Sequence, residues 1–388
     1  MKHIKLAVAG TGVVGANVIE SIKNKKAYFA NRFDVNIEIV GISSRTKKDL
    51  PFRWYENALD MIDKEQPDIV CELIGGDSGI ADDIAVKSLT ESRTLITANK
   101  ALLAKKGADL LELAQTKNTK LFFEAAVGGA VPIIQIISTN LNYNEINGYQ
   151  GILNGTANYI LTVMHNEKKD LDSVISKAQE LGLAESDPTF DICGIDAGQK
   201  LAIMNSLIYN VGFDAKDVKI EGIDKITLED IRAAEKIDAK IKLVAQSLVY
   251  EDILNSRVSP VFCRQSNFLY SIDYAMNAVN FKTDMATDMS LVSHGAGGIQ
   301  TAHAVLSDIQ ACIANQNSPK CNDYQKINEY RNLEYTGHII LKTPSFIEDA
   351  LGLEPFYSDT HNYYLFKDTN ESLLRDTYGD DVVLFSLK

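Results

Sequence analysis

Residues 3–15 read HIKLAVAGTGVVG, an apolar run followed at once by glycines at positions 10, 12 and 15. So short an apolar run, closed by a turn, predicts a strand buried on both faces, as in a parallel sheet. A helical pattern takes over from Ala16 to Lys23. Gly10, Gly12 and Gly15 therefore spell G-x-G-x-x-G at a strand-to-helix turn. The first glycine turns the chain, the second admits a pyrophosphate to the backbone, and the third lets helix pack on strand. The helix N-terminus adds unpaired N–H groups for the phosphates. A glycine-rich turn with no ligand is the plain alternative. The buried strand before it and the helix after it favour dinucleotide binding. Gly10, Thr11, Gly12, Val13, Val14 and Gly15 are thus the candidate phosphate loop.

Outward from that loop the chain alternates strand and helix. Strands are predicted at 36–44, 67–76, 92–100 and 120–129, with helices at 57–64, 80–90 and 100–115. Such alternation means an α/β fold, a Rossmann-type doubly wound parallel sheet with right-handed crossovers. Ligands in these sheets sit at the carboxyl ends of the strands. That rule gathers Gly10–Gly15, Ser43–Arg45, Ile74–Gly76, Thr97–Lys100 and Glu124–Gly129 onto one rim. Ser44, Arg45, Ile74, Gly75, Gly76, Thr97 and Lys100 become candidate cofactor contacts. After the second strand an acid usually accepts from the ribose 2′-OH of NAD, whereas an arginine accommodates a 2′-phosphate. Here Ser43, Ser44, Arg45, Thr46, Lys47 and Lys48 come before the first acid, Asp49. Hydroxyls and cations in place of an acid favour NADP(H) over NAD, against the plain reading of a solvated basic loop.

Composition narrows the function class. The 388 residues are enough for two or three domains, and 45% apolar with 23% charged residues is ordinary for a globular protein. A net charge of −13 argues against nucleic acid and anionic membrane surfaces as partners. No secretory leader pattern opens the chain and no apolar run approaches the length of a membrane span. Cys71, Cys193, Cys263, Cys312 and Cys321 are odd in number and lack zinc-ligand spacing, which fits a reduced cytoplasmic enzyme.

The strand–helix rhythm breaks near Ile133. Residues 146–164 begin as a strand and turn through Asn154, Gly155 and Thr156 into a helix, and residues 171–182 form a second helix closed by glycine. The stretch ESDPTFDICGIDAGQK (185–200) follows, with Glu185, Asp187, Asp191, Asp196 and Lys200. Residues 195–209 are helical in period, with Leu201, Met204, Leu207 and Ile208 towards one apolar face. Asp196 and Lys200 share a face of that helix, and alone they would read as a surface ion pair worth only about 0.3–0.5 kcal/mol.

GILNGTANYIL (151–161) and AQELGLAESDPTFDICGIDAGQKLAI (178–203) resemble the signature region of homoserine dehydrogenases. VCELIGG, TANKALLA, EAAVGGAVPII, KIKLVA, NAV and GAGGIQTAHAVLSDI agree with that family in order, over roughly residues 4–312. The resemblance implies NAD(P)-dependent interconversion of L-aspartate 4-semialdehyde and L-homoserine. It also implies a cytoplasmic homodimer or homotetramer with no nucleic-acid or membrane partner. By the family's motif Glu185 and Asp196 hold the substrate's amino end, with Asn154, Gly155 and Thr156 beside them, and Lys200 and Lys100 sit near the reacting oxygen. A lysine ammonium suits protonation of an alkoxide, and a second ammonium plus desolvation favour the neutral lysine that oxidation needs. Lys200 is expected to move the proton, Lys100 to assist it and touch the cofactor, and Asp187 and Asp191 to be local.

The same resemblance places a monovalent cation, sodium being the expected ion, at Glu124 with the carbonyls of Val127, Gly129 and Val131. The alternative is that Glu124 caps the helix starting near Pro132. Gly295 and Gly297 would approach the cofactor as the chain returns to the first domain, with His294 where the family usually has proline. Domains are expected at 1–135 with 295–315 (NAD(P) binding), 136–294 (α+β, substrate binding and dimerisation) and 316–388 (a small α/β appendage). In the appendage, strands are expected in 336–344, 362–368 and 381–388, with a helix at 345–353. Two rivals remain: another NAD(P)-dependent amino-acid or semialdehyde dehydrogenase, of which the aspartate-semialdehyde kind needs a cysteine nucleophile and finds Cys193 among the acids without a histidine nearby in sequence, and a non-catalytic NADP(H)-sensing protein on the same fold.

Overall fold

The structure, a computed structural model, describes residues 1–212, 214–295, 297–321, 327, 329–330, 336–344, 355–378 and 383–388. The chain forms two compact units. The first comprises Met1–Ile146, Gln199–Ala215 and Thr283–Ile327, and the second Asn147–Gly198, Lys216–Lys282 and Asn328–Lys388.

The first unit runs β1 (Lys2–Ala9), α1 (Val13–Asn24), α2 (Lys26–Phe33), β2 (Val35–Ser43), β3 (Trp54–Tyr55) and α3 (Ala58–Glu65). It continues with β4 (Ile69–Glu72), α4 (Ile80–Thr90), β5 (Thr94–Thr97), α5 (Lys100–Thr116), β6 (Leu121–Phe122) and α6 (Ile133–Ser138). Its sheet has the order β3-β2-β1-β4-β5-β6, parallel throughout. This is the expected Rossmann-type sheet. Strand order reverses at β1, so a crevice opens beyond its carboxyl end, where Gly10 lies.

Leu6 and Val8 of β1 are fully buried and join Val18 and Ile22 of α1 in one core. The first helix starts at Val13, earlier than its pattern predicts, because Gly12 is its N-cap. The helix α2 was not foreseen: Tyr28 stands edge-on to Phe29 and Phe33, which are tilted against each other, and only Phe29 is buried. The strand expected across 120–129 is only Leu121–Phe122, and Glu124–Ala126 turns as a short 3-10 helix.

The middle of the chain supplies β7 (Ile146–Ile152), α7 (Gly155–Glu167), α8 (Leu171–Glu180), α9 (Thr189–Ile192) and α10 (Ile195–Tyr209). Next come β8 (Lys219–Ile220), α11 (Leu228–Lys236), β9 (Ala239–Tyr250), β10 (Ile253–Arg264), β11 (Met276–Thr283), β12 (Asp288–His294) and α12 (Gly298–Ile313). The described tail holds β13 (Glu329–Tyr330), β14 (Thr336–Thr343), β15 (Tyr357–Ser358), β16 (Asn362–Asn370), α13 (Glu371–Tyr378) and β17 (Val383–Leu387). Helix α12 returns to the first unit, where Ala302, Val305 and Ile309 enter the same core as β1. The helix expected at 345–353 lies outside the described residues.

The second unit is built on a sheet in the order β11-β7-β9-β10-β17-β14-β16-β15. Its centre is the long β9–β10 hairpin, paired from Tyr250↔Ile253 to Ala239↔Arg264. Glu251 and Asp252 close it with φ of 48° and 62°, both left-handed, which matches the twist of the flanking strands. The tail strands extend this same sheet, because β17 pairs with both β10 and β14. Two buried ion pairs fasten it: Lys342 to Asp230 at 3.0 Å and Arg257 to Glu371 at 2.6 Å. Asp230 also completes a capping box with Thr227 at the start of α11 and accepts from the Tyr363 hydroxyl at 2.8 Å. No helix among the described residues is long and apolar enough to cross a membrane.

Candidate active site

At the carboxyl ends of β1 and β2 lies a cavity of about 550 Å³. Gly10, Thr11, Gly12, Ile74 and Gly75 line it on one side, and Ser44, Arg45, Thr46 and Lys48 on the other. Glycine is required at two places. A Cβ on Gly15 would stand 1.9 Å from the Gly10 carbonyl oxygen, and one on Gly10 (φ +102°) 2.4 Å from that of Leu73. Gly12 has nothing within 4 Å of its Cβ position, so that side is open to a ligand. The Thr11 hydroxyl is buried with no hydrogen-bond partner among the described residues. Helix α1 has no side-chain cap, so its first N–H groups face the same opening. An orphaned hydroxyl, an open glycine and an uncapped helix start fit a dinucleotide's phosphates. Val13 is exposed on that first turn, and Val14 packs against the core.

A buried carboxylate that the sequence reading left unassigned organises the next stretch of rim. Glu72, 0% exposed at the end of β4, accepts from the backbone N–H of Ile74 at 2.8 Å and of Gly75 at 3.3 Å. Its other oxygen accepts from the Thr97 hydroxyl at 2.6 Å. Thr97 in turn accepts from the Asn99 N–H, and the Asn99 side chain donates to the Gly76 carbonyl at 2.7 Å while capping α5 through Leu102. Loop 74–76, Thr97 and the helix that begins with Lys100 are thereby one hydrogen-bonded assembly. Lys100 is half-buried as the first residue of α5.

In the second unit Asn154 is the hub. Its side-chain oxygen caps α7 by accepting from Ala157 at 2.7 Å, and its amide nitrogen donates to Asp191 at 2.7 Å and to Asp196 at 2.9 Å. Asp196 is 4% exposed and Lys200, one turn further along α10, is 7% exposed. Both side chains are buried, so they do not sit on the exposed helix face that the surface ion pair of the plain reading assumes. The reading of Asp191 as local is corrected: it stands with Asp196 on a shared donor. Asp187 is local, accepting from the Thr189 N–H at 3.1 Å. Thr156 donates to the Leu183 carbonyl at 2.9 Å, tying α7 to the segment that carries Glu185. The Glu185 side chain is exposed, and its carbonyl accepts from Gln179 at 3.0 Å. Gly155 is the first residue of α7 and is buried.

Glu124 is a helix cap: its two oxygens accept from the N–H groups of Ile134 at 3.0 Å and Gln135 at 2.7 Å, at the start of α6. Asp308 of α12 lies beside it, accepting from the Glu124 N–H at 2.9 Å. Both carboxylates are buried, and neither has an ion-pair partner among the described residues. Burial pushes the Glu124 carboxyl up to about 7 against the pull of the helix N–H groups. Burial and then the Glu124 charge push Asp308 well above the usual range. Two unpaired buried acids with lone pairs to spare suit a hard monovalent cation. The Val131 carbonyl is engaged by Ile133 N–H at 2.8 Å, and Val127 donates back to Glu124 at 3.3 Å. A Cβ on Gly129 (φ +60°) would meet the Gly295 carbonyl at 2.3 Å, and the His294 carbonyl accepts from Ala130. This close backbone approach brings the 128–131 turn against the loop whose Gly297 (φ +120°) begins α12.

The described residues contain no cluster of three or more histidine, cysteine or acidic side chains placed to hold a metal ion. Asp191, Glu72 and Asp308, which spacing alone does not single out, each bond to partners distant in sequence.

Comparison with known proteins agrees over both units. The family model described as "Homoserine dehydrogenase, NAD binding domain" matches residues 10–124, and that described as "Homoserine dehydrogenase" matches 132–310. The homoserine dehydrogenase of Helicobacter pylori is 36% identical over 311 residues, covering 79% of this chain and 73% of that protein. That of Neisseria gonorrhoeae is 33% identical over 314 residues, covering 80% and 72%. The crystal structure of a homoserine dehydrogenase from Thiobacillus denitrificans superposes with a TM-score of 0.89 at 27% identity, covering 100% of this chain and 99% of that one. A hyperthermophilic archaeal homoserine dehydrogenase in complex with NADPH superposes with a TM-score of 0.69 at 25% identity, covering 82% and 100%. The Rossmann-type cavity, the Asn154-linked carboxylates and these matches together establish that the chain belongs to the homoserine dehydrogenase family of oxidoreductases.

Proposed function

We propose that this chain reduces L-aspartate 4-semialdehyde to L-homoserine reversibly, with NADP(H) preferred over NAD(H), in the biosynthesis of threonine, methionine and isoleucine. The observation that carries the substrate assignment is the Asn154 amide holding Asp191 and Asp196 together, one helical turn from Lys200. An α-ammonium needs carboxylates that are held still and out of bulk water, and Asp196 answers to that description. Asp191 and the more exposed Glu185 complete the anionic side.

The bound dinucleotide supplies or accepts the hydride. Gly10–Gly15 and the start of α1 would hold its pyrophosphate, with the Thr11 hydroxyl as a further hydrogen-bonding group there, and Arg45 would receive a 2′-phosphate. Lys200 gives its proton to the alkoxide oxygen in the reductive direction and takes the hydroxyl proton in the oxidative one. Lys100 acts beside it at the reacting oxygen. Glu124, with main-chain carbonyls of Val127, Gly129 and Val131, would hold a monovalent cation, sodium in our reading. Such a cation would be structural and would neutralise the buried Glu124 and Asp308 charge near the 128–131 turn. The enzyme works in the cytoplasm as a homodimer or homotetramer, which sedimentation velocity distinguishes.

The test is direct. Purified protein should oxidise NADPH in the presence of aspartate semialdehyde, and NADH more slowly. Turnover of that pair no faster than buffer would sink the proposal. A thiol-nucleophile dehydrogenase is the weaker reading, because partial burial and the Asp224 and Asp187 carboxylates push the Cys193 thiol above its ordinary value.

A further inference from the structure

We propose that Trp54, the chain's only tryptophan, is the positioning residue for cofactor choice: its indole N–H fixes the Ser44 hydroxyl and thereby the Arg45–Lys48 turn that receives the 2′-phosphate of NADPH. This rests on the NADP(H) reading above and assigns the mechanism behind it.

The geometry starts with β3. Those two residues pair in parallel with the end of β2, Ile42 opposite Trp54 and Ser43 opposite Tyr55. The Ser44 N–H then donates to the Tyr55 carbonyl at 3.3 Å. With the backbone pinned on both sides, the Trp54 indole donates to the Ser44 oxygen at 3.2 Å, and Ser44 gives its own proton to the Thr46 carbonyl at 2.8 Å. A serine hydroxyl has one proton to give. That of Ser44 is spent inside the turn, so Ser44 shapes the loop and leaves phosphate donation to its neighbours.

Those neighbours are placed for it. Arg45 and Lys48 line the cofactor cavity, are exposed, and make no ion pair among the described residues. Glu56 is the one acid in that lining. The rest of the loop is anchored from below, since Leu50, Phe52 and Trp54 pack against the core of the first unit. A guanidinium receives a phosphate well only when its backbone is already in place, because ordering an exposed turn on binding costs affinity. NADH has no 2′-phosphate and gains nothing from the arrangement. Loss of the indole N–H should therefore fall on one cofactor only.

The experiment is steady-state kinetics of the full-length enzyme with NADPH and, separately, NADH for wild type, Trp54→Phe, Ser44→Ala and Ser44→Thr. Phenylalanine keeps the apolar packing and removes only the donor. Ser44→Ala keeps the tryptophan, so the idea stays testable if the first variant folds poorly. The expected result is a roughly threefold to tenfold rise in KM for NADPH in Trp54→Phe and Ser44→Ala, the loss of one hydrogen bond. In Trp54→Phe the KM for NADH and both kcat values should stay within about twofold, and Ser44→Thr, which keeps the hydroxyl, should keep the wild-type ratio of the two KM values. If both cofactors' KM values move together, or neither moves, while wild type prefers NADPH, this inference alone is overturned. A wild type that prefers NADH overturns the cofactor reading, and this inference with it.

Discussion

Asn154 and Asp196 are joined by a hydrogen bond of 2.9 Å, although one residue opens α7 and the other belongs to the first turn of α10. The same amide nitrogen reaches Asp191 at 2.7 Å, so one donor sets the separation of two carboxylates. Asn154→Ala removes the cap and the spacer together. A lost hydrogen bond to a charged group is worth about 1.5–3 kcal/mol, so the KM for homoserine should rise roughly 10- to 150-fold. The KM for NADPH should hardly change. Equal changes in both constants would show that Asn154 serves the fold and not substrate binding.

Lys200→Ala should lower kcat by roughly 10²- to 10⁴-fold, the range for loss of a positioned proton donor. Lys200→Arg should not restore it, since a guanidinium holds its proton in either direction. Circular dichroism and a thermal melt check that the folds match. A variant with wild-type kcat would remove Lys200 from the mechanism.

Glu72 separates charge from geometry. Glu72→Gln keeps an oxygen for the Ile74 and Gly75 N–H groups and turns an amide towards Thr97, which can accept. Glu72→Ala leaves these donors facing nothing in a fully buried site, at about 1–3 kcal/mol for each. The alanine variant should melt several degrees lower with a raised KM for cofactor, and the glutamine variant should sit near wild type.

Acid stability should report Asp273. Burial alone would raise its carboxyl, but the ammoniums of Lys240 at 2.7 Å and Lys242 at 2.8 Å outweigh that and hold it below its ordinary value. The unfolded chain then binds this proton more readily than the folded one. The stabilisation is complete above the unfolded value, near 3.9 for an aspartate, and is lost as pH falls from there through the folded value. Urea midpoints measured from pH 5 down to pH 3 should fall more gently for Asp273→Asn than for wild type. Identical slopes would rule the ion pairs out as a pH-dependent support.

The first unit was legible because its information is local. Leu6 to Val8 must be buried, and Gly10, Gly12 and Gly15 permit a single kind of turn, so strand, loop and helix follow from adjacent residues. The parallel order then follows from handedness and short connections. What stayed hidden depends on distant partners. Asp191 meets Asp196 only through Asn154, which is far away in sequence, and Glu72 reads as one more residue at a strand end. Glu124 was open between cap and cation ligand, and its bonds to Ile134 and Gln135 answer for the cap alone. The β9–β10 hairpin escaped notice because Glu251-Asp252 is not a usual turn pair, and pairing with β10 on one side and β7 on the other holds β9 in place.

The two ion pairs that seal the tail to the sheet carry an evolutionary consequence. Arg257 is 3% exposed and Asp230 0% exposed, and their partners Glu371 and Lys342 both lie in the tail. Replacing Glu371 or Lys342 alone by an apolar residue would take one partner from a charge that stays buried, at a cost of about 3–5 kcal/mol. A descendant that changes one member of either pair is therefore destabilised unless the other member changes with it. The presence of the appendage is thus recorded at two positions outside it.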